Sequence, residues 1–157
     1  MNRSIKKVAI LGSGIMGSRI ACHFANIGVQ VLLLDIAPKE LTAEEQAKGL
    51  SLDSPLVKNR IVNLAFQQTL KSKPASLYQV GFAANIQLGN FDDNLSGIAD
   101  ADWIMEVVVE NLAIKRSLYD RVEQFRKAGT LITSNTSGIP IHLMAEGRSA
   151  DFQAHFC

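Results

Sequence analysis

Gly12, Gly14 and Gly17 stand at G-x-G-x-x-G spacing directly after the apolar run KVAIL, and no other feature limits the possible folds as strongly. Residues 7–11 are apolar after Lys7, include β-branched side chains and form too short a run for a helix, so they read as a buried strand. Beyond the glycines, Met16, Ile20, Phe24 and Ile27 recur at helical spacing, and Gly28 follows as a C-terminal cap. Residues 31–34, VLLL, form a second buried strand that ends at Asp35. Strand, glycine turn, helix and strand therefore follow one another, which is the context in which such glycines hold a dinucleotide. Gly12 permits the tight turn, Gly14 lets the backbone approach a pyrophosphate, and Gly17 lets helix and strand pack closely. The first helical turn, with Ile15 and Met16, offers N–H donors and a partial positive charge to the phosphates.

Asp35 lies eighteen residues after Gly17, where a carboxylate can accept hydrogen bonds from the adenosine ribose hydroxyls. No arginine follows it. Ile36-Ala37-Pro38 has nothing to neutralise a 2′-phosphate, and Lys39 is the one cation close by, so NAD is expected rather than NADP.

The strand signal returns at residues 103–109 (WIMEVVV) and 130–134 (TLITS), separated by a helical stripe of Ile114, Leu118, Val122 and Phe125. This alternation predicts a Rossmann-type, doubly wound α/β fold: a mainly parallel sheet with helices on both faces. Residues 42–73 have helical character, with Pro55 as a break, and form a helical excursion after the second strand. Its basic residues Lys58, Arg60, Lys71 and Lys73 read as a solvated helix face. KPAS and GNFDDNLSG read as loops, with residues 85–88 a short strand between them.

A length of 157 residues suits one domain, and 47% hydrophobic with 20% charged residues suits a globular one. No apolar run approaches the roughly 20 residues needed to span a bilayer. The basic lead-in MNRSIKK runs into VAILG without the longer apolar core and cleavage site of a signal peptide, which makes the cytoplasm the expected compartment. Cys22 and Cys157 are too few and too far apart for a disulfide framework or a zinc site. A net charge of +1 provides no general attraction to nucleic acid.

Three stretches go beyond a generic dinucleotide fold: GSGIMGSRIA, ADADWIMEVVVENLAIK and TSNTSG. Together they resemble the NAD-binding domain of the 3-hydroxyacyl-CoA dehydrogenases, which oxidise a 3-hydroxyacyl thioester to its 3-oxo form in fatty-acid β-oxidation. The resemblance runs from about Lys6 to the last residue. Ser-Gly-Ile at 137–139 and the following MAEGRSADF look most like the bacterial multifunctional members. It implies an oxidoreductase that uses NAD and takes a 3-hydroxyacyl-CoA substrate. It also implies that residues 1–157 are the NAD-binding domain, with a C-terminal helical domain for substrate binding and dimerisation absent from this chain, and a parent that is a homo-oligomer.

By position, the resemblance places Glu110, Lys115 and Asn135 against the ribose and nicotinamide side of the cofactor. Ser137 then hydrogen-bonds near the substrate hydroxyl, while its physical alternative is to cap a helix beginning near Pro140. Lys71 or Lys73 corresponds to the coenzyme A contacts of the helical excursion.

The chemistry also requires a base for the hydroxyl proton, usually histidine. The family carries it in F-x-G-x-H-F-F-N-P. Two registers fit the tail SADFQAHFC. In one, His155-Phe156 is the His-Phe of that motif, but Gln153 and Cys157 then replace a glycine and a phenylalanine. In the other, Phe156-Cys157 is its F-x, and the base lies past the last residue; this register is favoured, and it makes the chain alone inactive. His23, in the cofactor helix, and His142, beyond SNTSGIP, are no substitutes. The rival of a different class is a non-enzymatic NAD-binding sensor or interaction domain.

Overall fold

The computed structural model describes residues 4–157, so the first three residues of the basic lead-in lie outside it. In chain order the elements are β1 (Lys7–Leu11), α1 (Ile15–Asn26), β2 (Gln30–Asp35), α2 (Ala43–Ala47), α3 (Pro55–Lys58), α4 (Arg60–Leu70), β3 (Ile86–Asn90), α5 (Phe91–Asn94), β4 (Trp103–Glu106), α6 (Leu112–Phe125), β5 (Leu131–Ser134), α7 (Ile141–Ala145) and α8 (Ala150–His155). The five strands form one sheet in the order β3-β2-β1-β4-β5, and every pairing is parallel. The order reverses at β1, between β2 and β4. This is the Rossmann-type arrangement, whose switch point opens a crevice at the carboxyl ends of β1 and β4.

Both faces of the sheet are covered because successive strand residues point to opposite sides. Val8, Ile10, Val31, Leu33 and Met105 pack against Ala21, Cys22 and Ala25 of α1 and Val62 and Phe66 of α4. Ala9, Leu11, Leu32, Leu34, Ile104 and Ile132 pack against Leu118, Tyr119 and Val122 of α6, with Met144 and Phe152 added by α7 and α8. The helical excursion thus contributes α4 to one face of the core.

Several local expectations change. The strand expected at 103–109 stops at Glu106: the Val107 N–H still bonds to Leu11 O, but the Val108 N–H turns to the Glu106 carboxylate and the chain leaves the sheet. The stretch GNFDDNLSG is not a loop. Gly89 and Asn90 finish β3, and the Asn90 side chain accepts from the Asp92 and Asp93 N–H groups to cap α5. Pro55 opens α3 at its first position, where a missing N–H costs nothing, instead of breaking a helix. On α6 the buried face is Lys115, Leu118, Tyr119 and Val122, while Ile114 and Phe125 of the expected stripe are exposed. Lys58 pairs with Asp93, and Arg60 with Glu45, so the basic run is not wholly a solvated face.

Candidate functional site

The three glycines do three different things. Gly12 has φ +115°, and a Cβ there would meet Val107 O at 2.5 Å; at Gly17 a Cβ would fall 1.9 Å from Gly12 O. Both positions exclude side chains because the turn, β4 and α1 approach so closely. Gly14 differs: its φ is −54° and a Cβ there would meet nothing within 4 Å. Nothing in the protein itself requires glycine at 14, so the space it leaves open suits an outside group. No side chain caps α1, and Ile15 and Met16 are exposed. Its first-turn N–H groups are therefore free to receive a phosphate.

Asp35 ends β2 beside this loop. Its Oδ2 accepts from the N–H and the hydroxyl of Ser13 at 2.6 and 2.5 Å, and its Oδ1 accepts from the Ile36 N–H at 2.7 Å. A cavity of about 500 Å³ opens next to the carboxylate, walled by Gly12, Ile36, Val107–Val109 and Leu118, with Lys39 and Arg121 at its margin. One acidic group at the entrance to a largely apolar slot fits an adenosine, with the base in the slot and the ribose on Asp35. Ser13, completely buried, was not legible as a site residue because it is the variable position of the glycine motif.

Across the crevice, two turns at the carboxyl ends of β4 and β5 are joined through Glu110. Its Oε1 accepts from the Thr136 hydroxyl and from the N–H groups of Gly138 at 2.8 Å and Ser137 at 3.2 Å. The Thr136 hydroxyl and the Gly138 N–H, more than the Ser137 N–H and the Lys115 charge, pull the Glu110 carboxyl down to about 2. Asn111, its neighbour in VVEN, caps α6 by accepting from the Ile114 N–H. Asn135 and Ser137 are exposed on the loop that Glu110 holds. Ser137 does not cap the following helix; Thr136 accepts from the Ile139 N–H instead, and α7 begins after Pro140 without a side-chain cap.

Lys115 is wholly buried and held by both Glu106 oxygens at 2.7 and 2.8 Å. Glu106, which belongs to none of the expected site residues, is also fully buried. Its signal was available: a single carboxylate inside the apolar strand WIMEVVV requires a partner.

The tail lies elsewhere. His155 Nδ1 is 2.8 Å from Asp151 O, and the Asp151 carboxylate accepts from the Gly129 N–H, just before β5 begins. That is the amino edge of the sheet, opposite the crevice. Phe156 makes a parallel bridge with Ile132, so the chain enters an added strand beside β5 only after His155. His23 and His142 are exposed on α1 and α7. Lys71 and Lys73 are exposed past the end of α4, where Ser72, with Gln68, Thr69, Ser13 and Arg19, lines a second cavity of about 270 Å³. Among the described residues no His, Cys, Asp and Glu cluster could hold a metal ion, and no helix is long and apolar enough to cross a membrane.

Comparison with known proteins decides the family. The sequence model described as "3-hydroxyacyl-CoA dehydrogenase, NAD binding domain" matches residues 7–157. The chain belongs to the NAD-binding domain family of 3-hydroxyacyl-CoA dehydrogenases. A Bacillus subtilis protein named "Probable 3-hydroxyacyl-CoA dehydrogenase" is 51% identical over 156 residues, 99% of this chain and 20% of its own length. A Deinococcus radiodurans protein of the same name is 39% identical over 97% of this chain and 40% of its own. Among solved structures, 3-hydroxybutyryl-CoA dehydrogenase from Escherichia coli superimposes with a TM-score of 0.61 at 26% identity, covering 94% of this chain and 28% of that one. The chain thus spans between about a fifth and two fifths of the length of these relatives. The cofactor of this family domain is NAD, and the open space at Gly14, the uncapped helix and the cavity beside Asp35 fit it.

Proposed function

We propose that this chain is the NAD-binding domain of an enzyme that oxidises 3-hydroxyacyl-CoA to 3-oxoacyl-CoA in fatty-acid β-oxidation. The observation that carries this reading is convergence: Gly14, Asp35, Glu110, Asn135 and Ser137 come from four βα connections and meet at one edge of the sheet. The glycine turn and first turn of α1, with Ile15 and Met16, take the pyrophosphate. Asp35 holds the adenosine ribose, and the loop carrying Asn135 and Ser137 meets the nicotinamide end. NAD, when bound, supplies the hydride acceptor. Ser137, exposed beside that end, donates to or accepts from the substrate hydroxyl.

The base is carried by residues that continue the strand begun at Phe156, and a helical domain after them contributes the acyl-binding surface and forms the homo-oligomer. The placement of His155 at the amino edge, on Asp151, supports a base carried by later residues of the strand that starts at Phe156. Lys71 or Lys73 supplies charge for coenzyme A, and the cytoplasm is the compartment.

The test is NADH formation from 3-hydroxybutyryl-CoA by this chain, by its His155→Ala variant and by the chain extended through the base and such a helical domain. Turnover is expected only from the last, because a general base contributes about 10²- to 10⁴-fold and positioning several kcal/mol more. Turnover by the isolated chain that disappears in His155→Ala would refute the placement of the base.

A further inference from the structure

Behind the cofactor crevice, at the carboxyl ends of β4 and β5, lies a polar cluster that the cradle described above does not use. Glu106 Oε1 accepts from Lys115 Nζ and the Val108 N–H, each at 2.7 Å. Its Oε2 accepts from Lys115 Nζ at 2.8 Å, from the Tyr119 hydroxyl at 3.1 Å and from the Ser134 hydroxyl. One buried carboxylate therefore gathers the turn after β4, the helix α6 and the end of β5. Lys115 has no exposed surface, and its ammonium also lies 3.5 Å from Glu110 Oε2. Glu110 in turn holds Thr136, Ser137 and Gly138.

Stability does not explain this arrangement. A buried ion pair loses the hydration of both charges, and an apolar pair of similar volume is often equally stable or more so. What the pair does achieve is a continuous set of contacts from the interior to the exposed loop.

We propose that Glu106 is a positioning residue for the nicotinamide end of the cofactor site: through Lys115 and Glu110 it holds the loop bearing Asn135 and Ser137 in place against the glycine turn. Lys115 belongs to the same device and joins Glu106 to Glu110. The proposal rests on the dinucleotide reading given above.

The test combines Glu106→Gln with Lys115→Met, which removes both buried charges and leaves neither unpaired. Glutamine keeps a carbonyl oxygen for the Val108 N–H, so the wall of the adenosine cavity is retained. Calorimetry is run with AMP, which fills only that cavity, and with NADH, which also meets the 135–139 loop. The AMP affinity should stay within about two-fold of the parent, while NADH should bind about ten-fold more weakly, the scale of one or two lost hydrogen bonds. Amide exchange at Ser137 and Gly138 should quicken.

Glu106→Gln alone leaves Lys115 beside the Glu110 carboxylate, 3.5 Å away, and serves if the double variant does not fold. It should lose NADH affinity to the same degree as the double, since both break one chain of contacts. Unchanged NADH affinity in a folded variant overturns the proposal, and so does an equal loss for AMP and NADH, which marks general damage. A parent chain that binds no NADH instead overturns the dinucleotide reading, and the proposal with it.

Discussion

At the scale of single residues, two positions carry opposite lessons. Gly14 has ordinary backbone angles and open space around it, so a side chain there costs the fold little. Gly14→Val should leave the thermal transition close to that of the parent and abolish NADH binding, because the side chain fills the approach of the pyrophosphate; fluorescence titration of the folded variant checks this. Binding at parental affinity would remove the glycine turn from the site. Glu110 is set by charge and hydrogen bonding. Its folded pKa, about 2, lies below its ordinary value of 4.5, so the contacts it makes with the 136–138 loop are fully present above pH 4.5 and fade as pH falls towards 2. Amide exchange at Gly138 should therefore accelerate between pH 4.5 and 2 beyond the intrinsic dependence, and Glu110→Gln should remove that excess. Burial, with the Glu106 charge second, raises the Tyr119 phenol, so it stays a donor to Glu106 throughout this range.

At the scale of elements, propensity and capping explain which segments the sequence disclosed. β1 stands where its apolar run predicts it, and α1 ends one residue before Ile27, with Gly28 at φ +81° just beyond. The α5 turn was hidden because two aspartates, two asparagines and two glycines read as a loop, and what makes the turn helical is a buried side chain. Asn90 is 1% exposed; its oxygen caps α5, and its amide donates to Asn59 Oδ1 at 2.8 Å in the loop joining α3 and α4. Asn90→Ala should cost about 1–2 kcal/mol for the cap, more if Asn59 is left without a replacement partner. Urea unfolding should show a lower midpoint at unchanged slope; a midpoint equal to the parent's would mean that α5 contributes nothing to stability. In the same way β4 is shorter than its apolar run because Glu106 captures the Val108 N–H, an effect no propensity scale contains.

At the scale of the whole molecule, the two halves of the sheet meet at β1, and the cofactor crevice lies where they part. A ligand bound there touches connections from both halves and stabilises only the folded state. NAD at a hundred times its Kd should add about 2.7 kcal/mol, raising Tm by about 5–10 °C for a domain of this size. NADP at the same concentration should raise it less, because the Asp35 carboxylate, pinned by Ser13 and Ile36, faces the 2′-phosphate. Equal shifts in a thermal scan would instead make Lys39, at the margin of the same cavity, the partner of that phosphate. The sequence by itself determined the strand-glycine-helix-strand unit, the parallel sheet, the acidic end of β2 and, through three motifs, the family. These are local: each depends on periodicity or on residues a few positions apart. The tertiary structure alone decided that Lys115 is wholly buried, that Glu106 is its partner, that Thr136 and not Ser137 receives the Ile139 N–H, and that His155 lies at the amino edge of the sheet. Each of those depends on contacts between segments distant in sequence, and a charge buried by such contacts takes its role from the group it meets.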